Sequence, residues 1–177
     1  MPRLVWLATA IAWAVSSALL LARGATSSAA LLDWAADIAY TAAWLLFAPA
    51  MILATRLVPS QTARWLGAAI GAGAVVAGIA SLMRRLASVD GISTWYVDGI
   101  LLATILLVPL AYLFARDRSN QLSVVALALF LGVGFIAGAV GGVLVAVAFA
   151  ALAYRPAWFH PRRRPVVPEM PVEIEPA

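Results

Sequence analysis

Apolar residues run along this chain in stretches long enough to cross a bilayer, and short polar segments separate them. A helix needs about 20 mostly apolar residues to span the hydrocarbon core, and only helices or closed barrels satisfy the backbone in lipid. The stretches lack the period-two alternation of barrel strands. The pattern therefore predicts an all-α integral membrane protein, a bundle of transmembrane helices with short loops. The predicted spans are residues 4–22, 33–57, 65–83, 95–115, 122–137 and 140–154.

The last apolar block, residues 122–154, has two interpretations. As one straight helix it would extend about 50 Å, against a hydrocarbon core of about 30 Å. It is either a hairpin of two short spans that turns near Gly138 to Gly142, or one long helix that is tilted or broken. The GxxxGxxxG run in this block suits an unbroken helix, because a strip of glycines allows close helix packing.

The distribution of the 12 arginines favours the hairpin. With six spans, nine arginines share the side of both termini and three lie on the other side; with five spans the split is seven to five. Cytoplasmic loops carry the excess of positive charge in membrane proteins. We therefore predict six spans, with five as the alternative, in the inner (plasma) membrane with both termini cytoplasmic.

The two ends of the chain differ in character. The first apolar stretch, residues 4–22, exceeds the roughly 7–15 residues of a signal-peptide core, so it is predicted to be a retained first span. Residues 155–177 contain six prolines, which forbid a helix, and little apolar surface. This segment is predicted to be a disordered cytoplasmic tail after a bundle of residues 1–154, with a docking peptide as the alternative. Its anionic-lipid anchors would be Arg162, Arg163 and Arg164.

Composition narrows the chemistry that the protein can perform. Hydrophobic residues make up 64% and charged residues 11%, where soluble domains carry about 25% charged residues. The basic residues are all arginines, which indicates contact with lipid headgroups and no nucleic-acid partner. The chain has no cysteine and no lysine, and its one histidine, His160, lies in the tail. Disulfides, thiol chemistry, Schiff bases and paired-histidine haem ligation are excluded, so we expect no cofactor, no metal and no catalysis.

Three aspartates are the candidates for a polar site in or near the membrane. Asp33, Asp37, Tyr40 and Trp44 recur at helical spacing and share one face of the second span. A charged group deep in lipid is costly, so such residues often mark an ion or substrate path. The functional hypothesis is a polar vestibule of Asp37, Tyr40 and Asp98, with Asp33 nearby, open to the non-cytoplasmic side. The alternative is that Asp33 and Asp98 lie at helix starts and cap free N–H groups.

Two proline-containing spans resemble each other in layout. An aspartate, a proline and a terminal arginine of the second span recur 61, 60 and 60 residues later in the fourth span. Duplicated helical hairpins would produce such spacing, as in some small transporters. The prolines act as hinges under the functional interpretation and only shape the helix under the simpler one. The matching positions are Asp37, Pro49 and Arg56, and Asp98, Pro109 and Arg116.

Small residues form candidate helix-packing faces. Gly67, Gly71 and Gly78 lie on one strip of the third span, which allows another helix backbone to approach closely. A second set follows the GxxxGxxxG spacing and comprises Gly134, Gly138 and Gly142. The partner helix is by default in the same chain, and a homo-oligomer or a complex with another membrane protein is the alternative.

These patterns predict the class of function only coarsely. The first expectation is a non-catalytic accessory or assembly subunit that packs against partner membrane helices. The alternative is a small transporter or channel for protons or a small solute that uses Asp37 and Asp98. An intramembrane enzyme ranks third, because the membrane region lacks histidine, cysteine and lysine.

Overall fold

The structure, a computed structural model, describes residues 2–25, 30–86, 91–116, 120–135 and 138–154. These residues form helices and the turns between them, and no strand occurs among them, so the all-α prediction is confirmed. The predicted tail, with Arg162, Arg163 and Arg164, lies outside the described residues. The helices are α1 (Pro2–Ala25), α2 (Ala30–Thr55), α3 (Gln61–Leu86), α4 (Ile92–Arg116), α5 (Asn120–Phe130), continued by a π-helical segment (Leu131–Phe135), and α6 (Ala139–Tyr154).

Four of these helices, α1 to α4, are long and apolar enough to cross a membrane. Helices α5 and α6 are apolar but shorter. The π-helical segment lengthens α5, so residues 120–135 extend about 24 Å. The described residues thus match the predicted number of six helices, and two of the six fall short of a full bilayer core.

The last apolar block is a helical hairpin. A Cβ placed on Gly132 would lie 2.7 Å from the carbonyl oxygen of Gly141 and 2.9 Å from Val145, a contact that requires the chain to reverse between them. Gly138 occupies the turn with a φ of 81°, a conformation that glycine adopts without strain. The alternative of one long helix, tilted or broken, is wrong, because the chain reverses at Gly138 and α6 packs back against the segment before it.

The helices extend beyond their apolar stretches. For example, α4 begins at Ile92 where the apolar pattern began at residue 95, and α3 begins at Gln61 where the pattern began at residue 65. Apolar content marks the predicted span within a helix, while local hydrogen bonds set the ends of the helix. At the start of α3, the Ser60 hydroxyl accepts a hydrogen bond from the Ala63 N–H over 3.3 Å and caps the helix.

The helices pack in chain order, and α6 closes the series against α1. Glycines of α3 allow the closest approaches, on two faces. Gly67, Gly71 and Gly78 face α2, where Thr55, Ala48 and Trp44 lie respectively. Gly73 faces α4, where a Cβ would lie 2.8 Å from the Gly99 carbonyl oxygen. The small-residue strip predicted on α3 thus packs within this chain.

Large side chains fill the middle of the bundle. Trp44, Phe47 and Phe149 are almost fully buried, and the rings of Phe47 and Phe149 meet edge-to-face with centroids 5.5 Å apart. Hydrogen bonds from side chains of α1 to backbone carbonyls of α2 hold these two helices together. The Trp6 indole donates to the Ala50 carbonyl over 3.2 Å, and the Thr9 hydroxyl donates to a second carbonyl of α2.

The two ends of the bundle carry different charges. Helices α1 and α3 finish at the end where α2, α4 and α6 begin, and we call this the cleft end. The cleft end holds Arg23, Arg84 and Arg85 together with the three described aspartates. The opposite end holds the other described arginines, Arg3, Arg56, Arg64 and Arg116.

Candidate functional site

Ion pairs join three helices at the cleft end. The Arg23 guanidinium at the end of α1 lies 2.9 Å from an Asp33 carboxylate oxygen and 3.4 Å from an Asp37 oxygen. The other Asp37 oxygen lies 3.4 Å from the Arg85 guanidinium at the end of α3. Each arginine sits in the last turn of its helix, where a positive charge complements the helix dipole. Asp37 therefore bridges α1 and α3 from its place on α2.

Aromatic side chains extend this network to α4. The hydroxyl oxygens of Tyr40 on α2 and Tyr96 on α4 lie 2.8 Å apart and share a hydrogen bond. The Arg84 guanidinium lies over the Tyr96 ring, 5.2 Å from its centroid, and Arg85 lies similarly over Trp34 at 5.1 Å. These are cation–π distances. Four helices thus contribute charged or hydroxyl groups to one site.

These groups surround a cleft of about 360 Å³, which we call the polar cleft. Three guanidinium groups line it against one carboxylate, so its formal charge is positive. Its volume lies within the range of small-molecule sites, which begins at about 300 Å³. The lining residues are Leu20, Arg23, Asp37, Tyr40, Ser81, Arg84, Arg85, Tyr96 and Gly138.

A layer of buried polar atoms lies next to the polar cleft, deeper in the bundle. Six buried side-chain atoms on α1 and α2 have no hydrogen-bond partner among the described residues, and five of them remain when Asp33, which forms an ion pair with Arg23, is set aside. Thr41 follows Asp37 by one helical turn, and the ring of Trp13 contacts Tyr40 with centroids 5.9 Å apart. These atoms make the region next to the polar cleft more polar than the packed core beyond it. We call these residues the buried polar layer: Trp13, Ser16, Ser17, Thr41 and Trp44.

Apolar side chains close the bundle beyond the buried polar layer. Phe47 and Met51 follow Trp44 along α2 and are at most 1% exposed, as is Phe149 of α6. The side chains there pack directly against each other, with Trp44 and Phe47 centroids 5.8 Å apart. The polar region therefore opens at the cleft end and is separated from the opposite end by a packed core.

The predicted vestibule residues divide into two groups. Asp37 and Tyr40 line the polar cleft, and Asp33 supports it through Arg23. Asp98 is exposed on the outer side of α4 and does not line the cleft. Since α4 begins at Ile92, Asp98 lies beyond the first turn, and the capping alternative for it does not fit this helix. Asp33 does lie in the first turn of α2.

The two prolines lie far from the cleft, inside α2 and α4. Pro49 and Pro109 are both exposed on the outer surface, and each helix continues past its proline. Their role as hinges stays a prediction. The repeated layout of the two helices does not bring Asp37 and Asp98 to one site.

The second glycine set separates into different environments. Gly134 packs against Thr104 of α4, and Gly142 packs against Ser17 and Trp13 of α1. Gly138 lines the polar cleft at the turn before α6, and no atom of the described residues lies within 4 Å of a Cβ built on it. Gly138 therefore serves the turn and the cleft, while its two neighbours in the set pack against helices.

The sequence pattern missed the basic half of this site. The pattern indicates Arg23, Arg84 and Arg85 only as loop charge and Tyr96 only as part of a span. Ser81, Arg84 and Arg85 recur at i, i+3 and i+4, which places them on one face of α3. That spacing was a signal in the sequence, but only the fold brings this face next to Asp37 and Tyr96.

No group of three or more histidine, cysteine, aspartate or glutamate residues converges to hold a metal within the described ranges. Comparison with known proteins adds no constraint on the site. No protein-family model, no curated protein and no solved structure matches the chain.

Proposed function

We propose that this protein is a six-span membrane transporter for a small polar solute, which enters through the polar cleft. The main observation in support is that polar side chains from four helices line one cavity at the cleft end: Asp37, three arginines and two tyrosines. Such ionisable groups are costly near lipid and commonly mark solute paths.

The membrane assignment rests on the apolar helices. Four helices meet the length and composition of membrane spans, and large apolar side chains are exposed along the outer surface, including Ile105, Val124 and Val147. A soluble protein rarely exposes so many. The arginine excess near the chain termini supports a cytoplasmic location for the opposite end. The polar cleft then opens to the non-cytoplasmic side of the inner membrane.

The packed core favours a transporter over a channel. A channel needs a continuous wet path, whereas Phe47, Met51 and Phe149 fill the bundle between the buried polar layer and the opposite end. A transporter exposes its site to one side at a time by rocking of helices. The polar cleft and the buried polar layer would be the outward-facing half of such a cycle.

The accessory-subunit function predicted from the sequence stays a prediction. Its main support was the set of glycine faces, and Gly67, Gly71 and Gly78 pack against α2 of the same chain. The outer surface that remains for a partner is the apolar surface that any lipid-facing bundle presents. The polar cleft gives the transporter proposal the stronger support.

Flux through purified protein in liposomes tests the proposal. Proton flux is followed with pyranine, and uptake is followed with radiolabelled phosphate, glycine and choline, which represent anionic, zwitterionic and cationic solutes. We expect flux of at least one probe, and we expect Asp37→Asn to lower it about tenfold or more, because the substitution removes the charge that holds Arg23 and Arg85 in place.

The control variant is Asp98→Asn, which removes the same charge from an exposed position outside the polar cleft. It should transport like the wild type. Absence of flux for every probe in correctly folded wild-type protein, or an equal loss in both variants, contradicts the proposal.

A further inference from the structure

We propose that the ligand of the polar cleft is an oxyanion, a group with phosphate or carboxylate oxygens, and that Arg84 is the residue that recognises it. This inference rests on the proposed solute site and specifies its chemistry. It also holds for a site that binds without transport. Four observations carry it: the charge balance, the lack of an ion pair for Arg84 within the described residues, the hydroxyl groups, and the size of the cleft.

The charge balance of the cleft favours an anion. Three guanidinium groups and one carboxylate give the lining a formal charge of +2, that is, three minus one. Counting Asp33, which pairs with Arg23, still leaves one positive charge. Asp98 does not line the cleft and is exposed on the outside of α4. A cleft with one sign of charge and low-dielectric walls attracts ligands of the opposite sign.

Arg84 is the one arginine of the polar cleft that forms no ion pair with a carboxylate of the described residues. Arg23 and Arg85 lie within 3.4 Å of carboxylate oxygens. Arg84 stacks on the face of Tyr96, and no carboxylate of the described residues forms an ion pair with it. Stacking orients the planar guanidinium while its N–H donors stay available, and such a fork matches phosphate and carboxylate oxygens in pairs.

Neutral donors flank this guanidinium. Ser81 lies one turn before Arg84 and Arg85 on α3 and lines the cleft with its hydroxyl-bearing side chain. The hydroxyl groups of Tyr40 and Tyr96 bond to each other over 2.8 Å, and one of the two keeps a proton to donate elsewhere. An oxyanion accepts several hydrogen bonds at once, which a cationic or neutral apolar ligand does not.

Two sources can supply this chemistry. A free oxyanion of a few non-hydrogen atoms fits a volume of about 360 Å³, and so does the headgroup phosphate of an anionic lipid at the rim of the bundle. Both would contact Arg84 through the same phosphate oxygens. A comparison of phosphate binding in phosphate-free micelles and in nanodiscs of an anionic phospholipid separates the two sources.

The test is a calorimetric titration of the whole chain with inorganic phosphate. The protein is first held in dodecyl maltoside micelles, which contain no phosphate, and then in phosphatidylglycerol nanodiscs. We expect phosphate to bind in micelles. Arg84→Gln should raise the dissociation constant about tenfold or more, because the substitution removes the charge and the paired N–H donors that contact the oxyanion. Arg84→Lys keeps the charge without the planar fork and should fall between the two.

The matched control is Arg64→Gln at the opposite end. Arg64 also lines an arginine-containing pocket, of about 390 Å³ with Arg56 and Thr55, and its substitution changes net charge equally. Phosphate affinity should not change in this variant. Far-UV circular dichroism verifies the helical content of each variant, and Arg84 is exposed, so its replacement leaves the core intact.

Each outcome decides the inference. Binding that Arg84→Gln weakens and Arg64→Gln does not supports it. If phosphatidylglycerol nanodiscs then abolish the phosphate titration, the lipid headgroup is the source; if binding persists there, the source is a free oxyanion. No phosphate binding to the wild type in micelles, wild-type affinity in Arg84→Gln, or equal losses in both variants overturns it.

The two proposals fail in different ways. Phosphate binding without flux of any probe overturns transport and leaves the oxyanion site in place. Flux of choline or protons without phosphate binding leaves transport in place and overturns the oxyanion site.

Discussion

At the scale of single residues, the arrangement of the polar cleft depends on ion pairs between side chains more than on their burial. The side chains of Asp37, Arg23 and Arg85 are 24%, 41% and 33% exposed, and ion pairs of partly exposed groups in water contribute about 0–1 kcal/mol each. Their effect is therefore mainly positional. They fix the ends of α1 and α3 against α2 and leave Arg84 stacked on Tyr96 beside them.

The hydroxyl pair of Tyr40 and Tyr96 gives the first prediction at this scale. Tyr96→Phe removes the shared hydrogen bond and should lower the free energy of unfolding by about 0.5–1.5 kcal/mol. A double-mutant cycle with Tyr40→Phe should give a coupling energy of similar size, because both single variants remove the same bond. Unfolding in dodecyl maltoside, followed by circular dichroism, measures each free energy.

Tyr112→Phe is the control for this cycle, since Tyr112 lies on the same helix with its side chain exposed. It should leave the free energy of unfolding within about 0.5 kcal/mol of the wild type. Additive effects of the two cleft variants, with no coupling energy, would contradict a hydrogen bond between α2 and α4.

At the scale of elements, the glycines of α3 decide how closely three helices approach. The sequence showed a strip of small residues on α3 but not which helix would cover it. In the fold, Gly71 and Gly78 meet α2, while Gly73 on another face meets Gly99 of α4. A helix with small residues on two faces can pack closely against two neighbours, because neither face carries a side chain that would hold the neighbour away.

Gly73→Ala tests the α3–α4 contact. The added methyl group would lie 2.8 Å from the backbone oxygen of Gly99 and 3.2 Å from the backbone nitrogen of Ala103, so one helix must move. Relative to Gly24→Ala, we expect Gly73→Ala to be less stable by about 1–3 kcal/mol, the range for overpacked sites. Chemical unfolding of both variants in the same detergent gives the difference.

Gly24 is a suitable reference because it lies near the end of α1, with no atom of the described residues within 4 Å of a Cβ built on it. Both variants exchange glycine for alanine in a helix, so part of the helix-propensity gain cancels. Equal stability of the two variants would mean that α3 and α4 are not in close contact at Gly73.

At the scale of the whole molecule, the two ends of the bundle differ in charge and in shape. The cleft end pairs arginines with aspartates around a cavity, while the described part of the opposite end carries arginines and no aspartate. This asymmetry is the basis for the proposed orientation, because unpaired arginines concentrate on the cytoplasmic side of membrane proteins.

Labelling of single introduced cysteines tests the orientation, and no other residue reacts as a thiol because the natural chain has no cysteine. Gly24→Cys marks the cleft end and Pro59→Cys marks the α2–α3 turn at the opposite end; both positions are exposed. In intact cells, a membrane-impermeant maleimide should label Gly24→Cys and not Pro59→Cys. After the membrane is made permeable, both should react.

The reverse labelling pattern would place the polar cleft on the cytoplasmic side and contradict the proposed direction of opening. Labelling of both variants in intact cells would contradict a membrane barrier between the two ends.

The sequence alone determined the helical class; it predicted six helices, with five as the alternative, and the end of the bundle on which each described arginine lies. These properties follow from local features. Apolar stretches form helices, and because each span runs opposite to the one before it, successive loops lie at opposite ends of the bundle. It also placed Asp37, Tyr40 and Trp44 on one face of α2, because helical spacing is a property of one element. The hairpin in residues 122–154 was expected from charge asymmetry and is present.

Only the tertiary structure decided which faces meet. Asp98 has nearly the same spacing to its proline and arginine as Asp37, yet it is exposed on the outside of the bundle. Its neighbour Gly99 contacts Gly73 of α3, and this contact sets the rotation of α4 about its axis. The same packing brought Arg84 over Tyr96 and turned residues counted as loop charge into the wall of the polar cleft. Side chains from four helices form the site, and their relative positions depend on packing between helices, which no spacing within one helix encodes.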